Sequence, residues 1–461
     1  MSDAIREAPG APETGGTISR ERMALLFVVM LTTAAGNTAM QSVMPSIGTA
    51  LDVEDWWISL AYSWSALLWV TTAPYWASRS DRRGRKNMMA LGMIGFISSF
   101  GLCGAILWLG LNGVLGAVAT LLLFATARML YGAFGSAAPP AVQAYVASRT
   151  PRAQRTQALS LIASSFGLGT VIGPALAPLL IFPGAGLTGP FIIFAAVATL
   201  ALVALRLRLP NDDPSYAARG RVVAAPFSAS SNPSYREDGE QDEQAAKPDP
   251  TEMARMLDDP PKLGWFDTRL RPWLLTGLIG GHAQAMILGI AGFLVLDRLG
   301  LRADPDAGAG PIGLVLMAGA IATLLAQWGL IPMFKLGPRS STLWGMSFAL
   351  AGTVVIAIAQ DLHPIALGFA IASLGFGLYR PGFTAGMSLA VRRSEQGQVS
   401  GKVASVNGAA YIVAPALGVY IYGQSSTLAF TLIGLLCVAV FALGWRTLQT
   451  DAELTGEGPV D

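Results

Sequence analysis

The sequence predicts an all-α integral membrane protein with twelve transmembrane helices in two pseudo-symmetric six-helix bundles. Three observations predict it. Of 461 residues, 52% are hydrophobic and 13% charged, a balance too apolar for an ordinary soluble chain of this size. The apolar residues gather into twelve stretches, each near the ~20 residues that cross a bilayer as a helix. A long polar segment divides those stretches into six and six.

The tail 1–22 opens "MSDAIREAPGAPETGG". It lacks the cationic start and short apolar run of a cleavable signal. The first six apolar segments run 23–45, 57–78, 88–110, 114–136, 156–181 and 187–207, giving an N-terminal bundle over 23–209. The segment 210–271 holds "SASSNPSYREDGEQDEQAAKPDP". Rich in Ser, Pro and acids, it reads as a disordered linker, with "PTEMARMLDD" able to form a helical turn or two. The last six segments, 272–296, 311–334, 341–360, 364–391, 400–423 and 426–446, make a C-terminal bundle over 272–447. A tail, 448–461, follows.

Charge sets the orientation. Arg298 and Arg302 are the cations of one set of loops, and Arg128 and Arg380 fall within helices. The rest of the 31 Lys and Arg lie in the opposite loops, the linker and the termini. The positive-inside bias therefore puts both termini and the linker in the cytoplasm of a cell (inner) membrane. Chemistry other than transport finds little support. Cys103 and Cys437 give no disulfide framework or zinc spacing. His282 and His363 are far apart, no acid lies well inside a helix, and no phosphate-binding loop is present. The chain is read as no enzyme and as having no metal site.

The halves resemble each other. "GPALAPLLI" (173–181) matches "APALGVYIY" (414–422) at an offset of 241, which also pairs Pro140 with Pro381. An offset of 245 pairs Gly36-Asn37 with Gly281-His282 and Leu51-Asp52 with Leu296-Asp297. Duplicated bundles are typical of secondary transporters, with the substrate site near the midplane between repeats.

Three motifs then carry a resemblance to the major facilitator superfamily, and within it to the twelve-helix drug:proton antiporters. After the second helix the family reads G-x-x-x-D-R-x-G-R-[KR]. Here "ASRSDRRGRK" supplies Asp81, Arg82, Gly84, Arg85 and Lys86, with Ala77 in place of the first Gly. In the fourth helix "ARMLYGAFG" supplies the family's Arg and spaced glycines as Arg128, Gly132 and Gly135. In the fifth, Gly169, Gly173 and Pro174 match the antiporter glycine motif, while Ser160 and Ala177-Pro178 depart from it. The second-half counterpart of the first motif, "KLGPR" (335–339), has no Asp.

The resemblance implies alternating access, with no cofactor and a proton gradient as the energy source. It implies export of small amphipathic organic molecules. Uptake or uniport of an organic solute on the same fold is the alternative, and a non-transporting receptor or scaffold a more remote one. Expected partners are a small-molecule substrate and the lipid bilayer, without nucleic acid, and the chain is expected to act as a monomer. Asp81 is expected to latch onto Arg85 and the start of helix 11, with Gly84 allowing the turn. Gly169, Gly173 and Pro174 either pack tightly or set a functional bend.

A charge at the bilayer centre costs about 2.5–3.5 kcal/mol on insertion scales. Arg128 must therefore face the interior, as packing glue or, by resemblance, as a coupling residue. Arg380, before Pro381, either contacts an anionic part of the substrate or snorkels to an end. Asn37, Gln41, Gln284, Gln327, Tyr379, Asn407 and Tyr411 are further candidates for the substrate cavity, or for hydrogen bonds between helices. Tyr62, Trp64 and Trp69 could stack on a flat substrate or simply pack. Antiporters of this kind usually carry an acid in an N-half helix, and this chain has none. The coupling candidates are His282, which titrates near neutral pH, and the repeat-paired Asp52 and Asp297. Transport without protons is the third option.

Overall fold

A computed structural model describes residues 18–150, 152–210, 263–391 and 396–455. Most of the expected linker, "PTEMARMLDD" included, lies outside the described residues, as do most of the N-terminal tail and the last six residues.

Among the described residues twelve long helices form, in the order expected. They are α1 (Arg20–Ala50), α2 (Asp55–Arg83), α3 (Arg85–Leu111), α4 (Ala117–Leu130, continuing through a π turn, Tyr131–Gly135, into Ala138–Arg149), α5 (Arg152–Leu176), α6 (Gly189–Arg208), α7 (Arg271–Arg298), α8 (Pro305–Leu324, continuing through a π turn, Leu325–Leu330), α9 (Pro338–Ile358), α10 (Leu362–Leu389), α11 (Gln396–Gln424) and α12 (Ser426–Thr447). Among the described residues there is no β-strand, only a single bridge between Phe182 and Gly186. Several helices outrun their apolar segments, because polar turns such as Ser78–Arg83 continue the helix beyond the hydrocarbon.

Eleven of the twelve are long and apolar enough to cross a membrane. The exception is α2, which carries Ser59, Ser63, Ser65, Thr71 and Thr72. Part of that polarity has a structural cause. A π turn leaves backbone carbonyls without their usual donors, and a lipid environment supplies none. In α4 the carbonyls of Gly132 and Ala133 accept from Thr72 Oγ1 at 3.1 Å and from Trp76 Nε1 at 2.6 Å. Polar side chains on α2 thus complete the backbone of α4.

The most enclosed helices are α1 and α7, with 61% of their spanning windows buried, and α6 and α12 are the least, at 33%. The first pair is central and the second peripheral. Leu200, Leu207 and Ile358 are among the exposed apolar side chains of the outer belt. Within the halves α1 packs on α5, α3 on α6, α7 on α11 and α9 on α10. Between halves α2 packs on α11 and α5 on α8. Exchanging the repeats maps each of these two contacts onto the other, so the interface follows the duplication seen in the sequence.

The C-terminal tail is tied down. A short helix, α13 (Asp451–Thr455), begins with Asp451, whose carboxylate accepts from the backbone N–H of Arg339 at 2.7 Å and of Ser340 at 3.1 Å. An acid at the N-terminus of α9 is favoured by the unpaired amides there. The loop "KLGPR" lacks its own Asp, and the tail provides one.

Candidate functional site

Between the halves lies a cavity of about 90 Å³ whose walls include Gln41, Pro45, Tyr62, Leu288, Phe293 and Tyr411. These come from α1 and α2 on one side and from α7 and α11 on the other. Sites for drug-sized molecules run to about 300–1,000 Å³, so the cavity is smaller than such a site. Of the expected substrate residues, Gln41 and Tyr411 line it. Of the aromatic residues on α2, Tyr62 lines it, Trp69 is buried against Tyr131, and Trp64 is 55% exposed on the outer surface.

Arg128 is 1% exposed and stands one layer behind the wall. Its Nη2 donates to Asn37 Oδ1. Its guanidinium lies 4.5 Å from the Tyr131 ring centre, 5.7 Å from Phe100 and 5.9 Å from Tyr62. Three aromatic faces stabilise a cation that has no carboxylate beside it among the described residues. Asn37 therefore serves the arginine, and Gln41, one turn on, reaches the cavity.

In the other half Arg380 is 3% exposed. Its Nη1 approaches the Tyr411 hydroxyl at 3.4 Å, and the Tyr411 ring centre is 5.7 Å away. Tyr379, expected at the substrate, is instead a packing residue. Its hydroxyl donates to the carbonyls of Thr276 at 3.0 Å and Gly277 at 2.8 Å, fastening α10 to α7. Asn407 is buried, while Gln284 and Gln327 are half-buried, and none of the three lines the cavity. Gln327 falls in the π turn of α8. His282 is half-buried on α7, on the same helical face as the cavity residues Ala285 and Gly289. Its Nδ1 lies 2.7 Å from the Leu278 carbonyl. That bond requires the proton on Nδ1 and leaves Nε2 as the basic atom.

The cavity is shut at the face opposite the termini. Arg302, between α7 and α8, donates to both carboxylate oxygens of Asp55 at the start of α2, at 2.7 and 2.6 Å. It also donates to Thr49 Oγ1 at 3.3 Å and to Asp297 at 2.7 Å. Tyr422 on α11 donates to the second oxygen of Asp297 at 2.9 Å. The bonds to Asp55 are the main reason that the Arg302 guanidinium holds its proton above the ordinary arginine range, against partial burial. One arginine thus clasps both halves. Asp297 is part of the clasp. Asp52 is not: it is exposed in the turn after α1, with φ 52°, and the clasp acid is Asp55, one helical turn later. Arg302 stood out in the sequence only as one of two cations on its face.

On α5, small residues permit close approach. A Cβ at Gly169 would stand 2.6 Å from the Ala34 Cβ, and at Gly173 the carbonyl of Ala35 is closer still. Pro174 turns its carbonyl toward α8, where a Cβ at Gly313 would lie 2.6 Å from it. These matched positions join α5 both to α1 and to the other half. At the joint of α2 and α3, Gly84 has φ 86°, a conformation that favours glycine. Lys86 is buried and Arg85 half-buried. The side chains of Asp81 and Arg82 lie outside the described residues.

Residues 25–402 match the family model of the Major Facilitator Superfamily. Multidrug resistance protein 2 of Bacillus subtilis (strain 168) is 29% identical over 161 residues, 35% of this chain and 37% of that protein. Multidrug resistance protein MdtG of Yersinia enterocolitica is 32% identical over 142 residues, 31% of each chain. The chain thus aligns with about a third of the length of these relatives. Among solved structures, a bacterial homolog of the human lysosomal transporter Spinster, inward-facing and unoccupied, superposes with a TM-score of 0.65 at 13% identity, covering 92% of this chain and 96% of that one. The human organic anion transporter MFSD10 superposes with a TM-score of 0.60 at 16% identity, covering 93% and 100%. At these identities the likeness speaks to the fold alone. With a matching model over most of its length and this twelve-helix architecture, the chain belongs to the Major Facilitator Superfamily, as a multi-pass, non-enzymatic membrane transporter.

Proposed function

We propose that the protein is a proton-coupled exporter of small amphipathic organic molecules, acting as a monomer in a cell inner membrane with both termini cytoplasmic. The observation that carries this reading is the mainly apolar cavity between the halves, closed on one face by the Arg302 clasp. A cavity shared by two bundles and shut at one end is what alternating access requires. The excess of Lys and Arg makes the closed face the outer one. The names of the partial relatives support export and breadth of substrate. Gln41 and Tyr411 contact the substrate directly. Asn37, Gln284, Gln327 and Asn407 act from the surrounding layer.

Protons couple through His282, because its Nε2 is the basic atom on the cavity-facing side of α7, whereas Asp297 is held in the clasp. Everted vesicles, in which export appears as inward accumulation, test the whole reading. A panel of fluorescent amphipathic compounds should accumulate when the vesicle interior is acidified, and accumulation in right-side-out vesicles instead would establish uptake. In the same assay His282→Gln should abolish the response to the pH gradient and leave substrate counterflow intact. A normal pH response in that variant would remove His282 from the coupling.

Asp81 serves as the cytoplasmic latch, as its place in the matched motif implies. Charge-assisted bonds contribute about 1.5–3 kcal/mol, so Asp81→Asn should cut transport by about tenfold or more while expression stays near normal. Labelling should shift toward the state open at the terminal face. Wild-type transport in Asp81→Asn would dismiss the latch.

A further inference from the structure

The cavity has a buried arginine behind a tyrosine on each side, and among the described residues no carboxylate pairs with either. No Asp or Glu lies within the central turns of any of the twelve helices. At the closed face Asp55 and Asp297 are engaged by Arg302. An ionised group at this depth is retained against a substantial cost, which points to a functional counter-charge.

The two arginines differ in which donors are satisfied. Arg128 has Nη2 on Asn37, and its Nε and Nη1 have no hydrogen-bond partner. Those two atoms do not share one edge of the guanidinium. Arg380 has Nη1 near Tyr411, and its partnerless donors are Nε and Nη2. These form the side edge of the fork, whose two parallel N–H bonds match the two oxygens of one carboxylate. The same chain shows that pairing elsewhere: Arg269 uses Nε at 3.1 Å and Nη2 at 2.9 Å to hold the carboxylate of Asp267. At Arg380 the edge is ready and no described residue fills it.

We propose that Arg380 is an anion subsite and that the substrate is a small amphipathic organic carboxylate. Its apolar body occupies the cavity beside Tyr62, Leu288 and Phe293, and its carboxylate takes the Nε and Nη2 edge of Arg380. Tyr411 stands between the two, with its ring in the cavity wall and its hydroxyl on Nη1. At about 90 Å³ the cavity is smaller than a drug-sized site, so it widens for any substrate, and displacement of Tyr411 in that widening joins the cavity to the arginine. A lipophilic cation would find an apolar wall backed by two positive charges. The assignment rests on the exporter reading only for the direction of movement. Binding at Arg380 is independent of it.

The test uses the purified full chain in nanodiscs and titration calorimetry, with empty nanodiscs subtracted. The probes are three compounds with one apolar body: 1-naphthaleneacetate, 2-(1-naphthyl)ethanol and 2-(1-naphthyl)ethylamine. The wild type should bind the carboxylate about tenfold or more tighter than the alcohol, as a hydrogen bond to a charged group predicts, and the amine most weakly. Arg380→Gln should bring the carboxylate to the level of the alcohol without changing the alcohol. Arg380→Lys should keep part of the preference, having the charge without the fork. Equal affinities of the wild type for carboxylate and alcohol overturn the proposal, whether or not Arg380→Gln folds, and so does a preference that survives in Arg380→Gln. Vesicles that accumulate none of the compounds in either orientation would defeat the exporter reading separately, leaving the calorimetric result to judge the subsite.

Discussion

Arg128→Ala is expected to abolish transport while the protein remains folded in the membrane. The guanidinium is 1% exposed in α4. Its burial costs about 2.5–3.5 kcal/mol on insertion scales, and three rings and Asn37 offset part of that. Removing it relieves the cost and leaves a cavity, two effects that oppose each other. Thermal unfolding of Arg128→Ala in detergent should therefore stay close to wild type while transport in vesicles falls to background. Arg128→Lys keeps the charge, but a lysine cannot hold Asn37 and stack on Tyr131 with a planar group. It should restore about a tenth of the wild-type rate, a loss of one charge-assisted bond. Asn37→Ala should depress transport in the wild type and have little further effect in Arg128→Lys, because the pair acts as a unit. Full activity of Arg128→Ala would reduce the residue to packing.

Breaking the clasp should have the next largest effect. Arg302→Gln and Asp55→Asn each remove the ion pair that closes the face opposite the termini. Both partners are partly exposed, so solvent screening limits the pair to about 1 kcal/mol, somewhat less than a tenfold shift in a two-state equilibrium. The readout is labelling of Ser59→Cys, a cavity residue of α2, by a membrane-impermeant maleimide. The native cysteines, Cys103 and Cys437, are both buried, which keeps the background low. Each single variant should label about fivefold faster from the clasp face, within that energy. The exchange Asp55→Arg with Arg302→Asp should return the rate toward that of the parent. Unchanged labelling in both single variants would show that the closed face is held by packing alone, for which the close approach of Gly292 on α7 to Pro45 on α1 provides a means.

The twelve segments were legible because the bilayer imposes a length on every apolar run, and that signal is local. Arg128 and Arg380 were legible for the same reason, as charges where charge is costly. The partners were not. Asp52 and Asp55 differ by three positions, and only the turn geometry after α1 decides which one Arg302 meets. Tyr379 and Arg380 are adjacent on α10, yet helical rotation sends the tyrosine into α7 and the arginine toward Tyr411. The π turns left no mark that periodicity could reveal, since Tyr131–Gly135 and Leu325–Leu330 read as ordinary apolar helix. The serines and threonines of α2 stand in its sequence, but part of the reason for them lay on another helix.

That cause has a consequence for how this protein tolerates change. A π turn is one residue more than an α-helix of the same length, and each residue advances the helix by about 100°. Deleting Ala133 would make α4 regular and take from the Trp76 indole N–H the carbonyl it donates to at 2.6 Å, in an apolar surrounding, while Thr72 keeps the Leu68 carbonyl of its own helix. Changing Thr72 and Trp76 to valine and phenylalanine alone would instead strip the Gly132 and Ala133 carbonyls of their donors on α2, leaving Ser136 at 3.3 Å as the side-chain donor to Ala133. Either alteration is harmful by itself, and the two together are complementary. Lengths of α4 and side chains of α2 are therefore tied, so that a shortened fourth helix is compatible only with a more hydrophobic second one.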